Sequence, residues 1–282
     1  MIGTPELVLS VGSRTDVGLR RAVNEDSTLA QHPIYAVADG MGGHEAGDRA
    51  SQAVIAQLSA LAGRADLVPD DLSIAIDAAH SSVGAIAEEM SRGAGSTVTG
   101  AMLVEQAGRP HWLVFNIGDS RVYRYRPSRL EQLTVDHSVV QGLVDDGTLA
   151  KDEVATYKGR NVITRAVGAD DSGADFWLYP VVTGESLLLC SDGLTGEVDD
   201  DTIGSVLSIA QDPQVWVDRL VELALAGGGR DNVSVVIVSV TAGGLSSDID
   251  EATGAVGPLG PLPDDLDEST IEMPRRRTRE AQ

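Results

Sequence analysis

Ile34-Tyr35-Ala36-Val37-Ala38-Asp39-Gly40 is an apolar run that ends abruptly on a carboxylate and a glycine. The pattern recurs elsewhere in the chain. Trp112 to Ile117 leads into Gly118-Asp119-Ser120, and Ser186 to Cys190 leads into Ser191-Asp192-Gly193. Arg230-Asp231-Asn232 opens into Val233 to Val240. Short runs rich in Val, Leu and Ile, bounded by Gly, Asp or Asn, read as buried β-strands. A carboxylate leaving such a strand is harder to solvate than one on a helix face, so four of them predict one shared polyanionic pocket. That pocket calls for cations. Hard divalent ions with oxygen ligands, Mg²⁺ or Mn²⁺, suit it.

Further strands are expected near 6–13, 98–105 and 120–126, beside those near 34–39, 111–117, 186–191 and 233–240. Gly118-Asp119 has the composition of a tight turn, which predicts a hairpin between 111–117 and 120–126. Helical periodicity runs from Ala46 to Leu61, from Leu72 to Met90, and from Val215 to Ala226, the last between Pro213 and Gly227-Gly228-Gly229. The helices come in blocks rather than alternating with single strands. This predicts an α+β fold with sheets packed face to face and helices outside. Segment 136–178 is less regular. Its amphipathic part, Ser138 to Leu149, fits either a functional flap or a surface insertion.

The chain has 282 residues, of which 42% are hydrophobic and only 4% aromatic, so its core is built from aliphatic side chains. A net charge of −22 argues against a nucleic-acid backbone or an anionic membrane as partner. A phosphate-bearing substrate is compatible only if bound cations invert the local field. The single cysteine, Cys190, excludes an internal disulfide. With no apparent signal peptide and no apolar run of the ~18–20 residues needed to span a bilayer, a soluble, monomeric, cytoplasmic protein is expected.

The composition changes at Thr241. Residues 241–282 carry nine acids, four arginines and the run Gly257 to Pro263 (GPLGPLP), which predicts a disordered acidic tail after a folded unit over 1–240. Thr270, behind the acids Asp264 to Glu268, could be a target of a Ser/Thr kinase or a docking site for a phosphothreonine-reading domain.

Arg21-Ala22-Val23-Asn24-Glu25-Asp26-Ser27 joins a planar guanidinium, suited to two phosphate oxygens, to adjacent acids that could orient water on a metal. Alone it also reads as a surface ion pair. Asp39-Gly40-Met41-Gly42-Gly43-His44 likewise reads alone as a glycine-rich turn. Taken in order, RxxNEDS, ADGMGGH, IGDSR, SDGL and RDNVSVV over about 8–240 resemble the bacterial metal-dependent serine/threonine protein phosphatases, the type 2C or PPM family.

The resemblance implies a central sandwich of two mainly antiparallel sheets flanked by helices on both sides, four layers in the order αββα. It implies two core Mn²⁺ or Mg²⁺ ions and a possible third. Asp39 would bridge the core ions with the Gly40 carbonyl on one of them, Asp192 and Asp231 would hold one, and Glu25 would serve the other. Asp119 would join Asp192 at the third site, with Asp136 as a neighbour, Asp26 behind Glu25, and Asn232 next to Asp231. Arg21 would bind the substrate phosphate. His44 would act as general acid for the serine or threonine leaving group. Two ions ~3.5–4 Å apart activate water and clamp an in-line displacement, so no covalent intermediate is required.

Two departures stand out. Met41 follows the Asp-Gly pair where many members have histidine, and Gly196, followed by Glu197, stands where a further aspartate is common. His32, His80, His111 and His137 show no metal-ligand spacing and read as structural. Ser191 and Thr195 read as loop-positioning. The expected activity is hydrolysis of phosphoserine and phosphothreonine in proteins, opposing kinase signalling. The alternatives are a pseudophosphatase or regulatory binding module, and a two-metal hydrolase of small phosphate esters.

Overall fold

The computed structural model describes residues 6–42, 46–91, 93–127, 129–209 and 212–246. Two antiparallel sheets stack face to face. In the first the strand order is β1 (Val8–Asp16), β11 (Val233–Ala242), β10 (Ser186–Cys190), β7 (Arg121–Arg126) and β8 (Arg129–Gln132). In the second it is β2 (Asp26–Gln31), β3 (Ile34–Gly42), β5 (Val98–Gln106), β6 (Arg109–Ile117) and β9 (Asp175–Pro180), with β4 (Ala94–Ser96) paired to the end of β3. Helices α1 (Ala46–Ser59) and α2 (Pro69–Glu89) cover the second sheet. Helices α5 (Asp200–Ile209) and α6 (Pro213–Gly227) cover the first. The expected four-layer αββα sandwich is the observed one.

Strand alternation explains why the central strands are apolar throughout. On β3, Tyr35 and Val37 face the other sheet while Ile34, Ala36 and Ala38 face the helices. On β11, Val236, Val238 and Val240 point inward, and Val233, Val235 and Ile237 point to α6. A strand buried on both faces has no polar side, and burying each such side chain is worth about 1.5–3 kcal/mol. The helices present matching stripes: Ala50, Val54 and Leu58 on α1, and Trp216, Leu220 and Ala224 on α6. Asp212 caps α6, its Oδ1 accepting the Gln214 N–H at 2.8 Å, with Pro213 in the first turn.

The expected hairpin between β6 and β7 is not formed. β6 pairs with β5 and β9, whereas β7 pairs with β10 and β8, so Gly118-Asp119-Ser120 carries the chain from one sheet to the other. Gly118 takes φ 106°, and its N–H donates to His137 Nδ1 at 3.2 Å. Its carbonyl accepts from Asn116 Nδ2 at 2.9 Å. These bonds turn the chain across the mouth of the sandwich rather than back on itself. Consecutive strands instead pair as hairpins at β2–β3, β5–β6 and β7–β8, and the β5–β6 turn at Ala107-Gly108 has both residues at positive φ.

Strand β9 begins at the end of the segment read as irregular and runs two residues past it; Phe176 enters the helix-facing core, and Trp177 and Tyr179 the inter-sheet core. Before it, the segment forms α3 (Val139–Asp145) and a 3-10 turn, Lys151–Thr156. The last strand runs to Ala242, and Leu245 still bonds to Val181 and Thr183. The tail from 247 onward, with Thr270, lies outside the described residues, as do Gly43 and His44. Among the described residues no helix is long and apolar enough to cross a membrane.

Candidate active site

The strand-end acids meet at one end of the sandwich, astride the boundary between the sheets. Asp39 comes from β3, Asp119 from the crossing, and Asp192 and Asp231 from the ends of β10 and β11. Asp26, at the start of β2, stands directly opposite Asp39 in the β2–β3 ladder. The backbone of Asp39 is pinned on both sides. Its N–H donates to Thr97 Oγ1 at 3.0 Å, and its carbonyl accepts from the Thr97 N–H at 2.8 Å and Ser96 Oγ at 3.1 Å. Thr97 Oγ1 also lies 2.8 Å from Ser120 Oγ, tying β5 to the crossing that carries Asp119.

Glycine is required at two points around Glu25. A Cβ on Gly40 would fall 2.0 Å from the Gly47 carbonyl oxygen, and one on Gly47 would fall 2.5 Å from Glu25 Oε1. The first turn of α1 can therefore close on Glu25, where the Gly47 amide favours the charged carboxylate against the desolvation that raises it. Asn232, buried before β11, binds the other flank. Its Oδ1 accepts the Glu25 N–H at 2.9 Å, while its Nδ2 donates to the carbonyls of Val17 (2.9 Å) and Val23 (3.0 Å). The loop bearing Arg21 and Glu25 is thus fastened to the loop bearing Asp231. Arg21 Nη2 donates to Asp231 Oδ2 at 2.7 Å, and the other oxygen of Asp231 accepts the Asn232 N–H at 2.8 Å.

Burial and mutual repulsion govern the charge of this cluster. Asp39 is held well above the ordinary carboxylate range by desolvation, then by Asp26, Asp192, Asp119 and Asp231 together, which puts it at the electrostatic centre. Desolvation pushes Asp26 up to about 7, against hydrogen bonds from Ser234 and Ser191. Desolvation and then Asp192 and Asp136 push Asp119 up to about 7. Asp192 is raised by burial and by Asp231. Asp26 Oδ2 accepts from Ser191 Oγ at 2.8 Å, which gives Ser191 the positioning role expected of it. Asp136 stands beside Asp119, but Arg121 donates to both its oxygens (Nε at 2.9 and 3.1 Å, Nη2 at 2.7 Å) and Gln132 donates to Oδ1 at 3.0 Å. The structure therefore spends Asp136 on neutralising Arg121.

The donor set fits divalent cations. Buried oxygens Asp26 Oδ1 and Asp192 Oδ1 have no hydrogen-bond partner, and so many carboxylates cannot all be ionised without added positive charge. Among the described residues no three His, Cys, Asp or Glu side chains alone cage an ion. The remaining ligand positions suit the Gly40 carbonyl and water, which Mg²⁺ in particular retains. A cleft of about 730 Å³ opens outward from Asp119, Asp192 and Asp231. One wall is the 192–201 segment; the other is the 138–160 stretch, through Ser138, Gln141, Lys151 and Arg160.

Sequence reasoning overlooked Thr97, Gly47 and the Arg121–Asp136 pair. Of these, Arg121 is visible as the last letter of IGDSR and Asp136 as a candidate neighbour of the third site, while nothing local marks Thr97 or Gly47.

No protein-family model matches the chain. The serine/threonine protein phosphatase PstP of Mycobacterium tuberculosis is 40% identical over 264 residues, covering 88% of this chain and 50% of that protein. The chain thus spans about half the length of these curated relatives. The serine/threonine phosphatase stp of Listeria monocytogenes is 34% identical over 240 residues, covering 80% of this chain and 93% of that protein. Among solved structures, the catalytic domain of PstP in complex with two manganese ions superposes with a TM-score of 0.76 at 38% identity, covering 84% of this chain and all of that one.

Proposed function

The chain belongs to the bacterial metal-dependent serine/threonine protein phosphatases, the type 2C or PPM family, and from that premise we propose that it hydrolyses phosphoserine and phosphothreonine monoesters in proteins with Mn²⁺ or Mg²⁺. The observation that carries this reading is the meeting of Asp39, Asp192 and Asp231 at one end of the sandwich with Arg21 in contact with Asp231. In this reading Asp39, the Gly40 carbonyl and Glu25 would hold one ion, and Asp39, Asp192 and Asp231, with water, the other. Asp119 with Asp192 would form a third, weaker position. Bound ions supply charge for the phosphoryl oxygens and an activated water at neutral pH.

The chain's own groups do the rest. Arg21 aligns two phosphate oxygens through its fork of donors. Asn232 and Gly47 fix Glu25, and Thr97 fixes Asp39. His44 delivers the proton to the leaving alkoxide. Neither Ser191 nor Cys190 is placed as a nucleophile, because Ser191 Oγ is committed to Asp26 and Cys190 is fully buried in β10. This supports direct hydrolysis. The complete set of acids favours an enzyme over a pseudophosphatase, and the open cleft suits an extended peptide better than a small ester. The lone buried thiol supports a cytoplasmic setting. Engagement of a kinase or phosphothreonine reader at Thr270 rests on its acidic flank alone.

A metal-titrated assay on phosphothreonine peptides alongside small phosphate esters tests the reading. Peptide turnover that requires Mn²⁺ or Mg²⁺ is expected. Full activity in excess chelator, or esters strongly preferred over peptides, would overturn it.

A further inference from the structure

Glu197 and Arg230 form an ion pair that none of the roles above uses. The Glu197 side chain is only 4% exposed, beside the glycine turn at Gly227 and Gly228. Its Oε1 accepts from Arg230 Nε at 2.7 Å and from the Arg230 backbone N–H at 3.2 Å; its Oε2 accepts from Nη2 at 3.0 Å. Arg230 Nη2 also donates to the Gly196 carbonyl at 3.1 Å. On one side of this clamp, the short helix α4 (Asp192–Thr195) links Glu197 to Asp192, with Gly196 N–H donating to the Asp192 carbonyl at 2.7 Å and Glu197 N–H to the Leu194 carbonyl at 3.1 Å. On the other side Arg230 is bonded directly to Asp231. A stiff path therefore runs from one acid, through the ion pair, to the other.

Solvent decides what this pair is for. Arg230 is 61% exposed, so screening leaves the pair little weight in global stability. A bidentate fork still fixes distance and angle. We propose that Glu197 and Arg230 are positioning residues that set the separation of Asp192 and Asp231, and with it the affinity of these two acids for a divalent ion. The proposal rests on the reading that Asp192 and Asp231 share an ion. It gives a role to the residue beside Gly196, where this chain departs from the family pattern: Glu197 holds the ligands in place without being one.

The test is Mn²⁺ titration calorimetry on the full chain, alongside thermal unfolding in chelator. Glu197→Gln is the principal variant, because Arg160 also lends its charge to this carboxylate and could partly replace a lost Arg230. It is expected to bind Mn²⁺ about 10-fold more weakly, the scale for outer partners of metal ligands, with its melting temperature nearly unchanged. Arg230→Lys keeps the charge but not the fork and should also bind more weakly; it decides alone if Glu197→Gln does not fold. The double variant Glu197→Gln/Arg230→Gln, which also gives up the donation to the Gly196 carbonyl, should lose less affinity than the two single changes Glu197→Gln and Arg230→Gln combined, since they share the ion pair. Glu185→Gln, at the far end of β10, where Glu185 accepts from Trp112 Nε1 at 3.1 Å, should lower the melting temperature and leave Mn²⁺ affinity as it is. Wild-type affinity in both Glu197→Gln and Arg230→Lys would overturn the proposal, as would a loss only in proportion to lost stability. No Mn²⁺ binding by the wild type would instead overturn the functional reading beneath it.

Discussion

Nη2 of Arg21 lies 2.7 Å from Oδ2 of Asp231, so this arginine touches a strand-end acid that is also a candidate metal ligand. Arg21 is half-exposed and reaches Glu25 more loosely, at 3.9 Å. Its guanidinium can therefore turn to an incoming phosphate without leaving the cluster. Arg21→Ala should lower kcat/KM on a phosphothreonine peptide by roughly 30-fold, the equivalent of about 2 kcal/mol for a lost charge-assisted bond. Arg21→Lys should fall between the two. Steady-state kinetics with unchanged kcat/KM in Arg21→Ala would remove the arginine from substrate binding.

Asp39 sits among four like charges, so its removal should separate stability from activity. Asp39→Asn is expected to melt higher than wild type in chelator, by about 2–4 °C for each kcal/mol of repulsion relieved. The same variant should lose turnover roughly a hundredfold or more, since even outer partners of a metal ligand are worth 10- to 100-fold. Melting below wild type would mean that Asp39 is held by its surroundings rather than opposed by them.

The raised carboxyl groups fix the sign of the pH dependence. Asp26 and Asp119 move from 3.8 up to about 7, and Asp39 and Asp192 also move upward. The folded protein then holds protons that the unfolded chain has released, so stability is present below about pH 4 and is lost as pH rises toward 7. His137, lowered by burial, works in the opposite sense as pH falls below 6.5, but it is one group against these four and the likewise raised Glu25 and Glu185. Urea unfolding in chelator should give a higher midpoint at about pH 5.5 than at about pH 8. Mn²⁺ should shrink that difference by taking the place of the protons.

Gly47 is a steric requirement that can be checked directly. Gly47→Ala places a methyl 2.5 Å from Glu25 Oε1 and 2.8 Å from the Gly40 carbonyl oxygen. Overpacking of this kind costs about 1–3 kcal/mol. Both a lower melting temperature and weaker Mn²⁺ binding are expected. A variant with wild-type Mn²⁺ affinity would show that Glu25 does not need the first turn of α1.

What could be read from the chain followed from local pattern. Strands buried on both faces, such as Ile34 to Ala38 and Val233 to Val240, announce themselves by continuous apolar residues, and their terminal acids are visible at once. β2 was missed because only Asp26 and Leu29 are buried in an edge strand of otherwise polar character. β6 and β7 were joined in error because Gly118-Asp119 has hairpin composition, while the bonds that redirect it come from His137 and Asn116. The supporting shell was hidden for the same reason. Asn232 meets Glu25 across 207 residues of sequence, and neither residue type signals that encounter.

The candidate ligands are shared between the two sheets: Asp39 belongs to one, Asp192 and Asp231 to the other, and Asp119 to the strand crossing between them. An ion held by such a set is also a cross-link. It binds only while both sheets are in place, so it penalises every partly unfolded form in which one sheet has come away. The chemistry at the mouth of the sandwich and the cooperativity of the whole fold would then draw on the same few carboxylates.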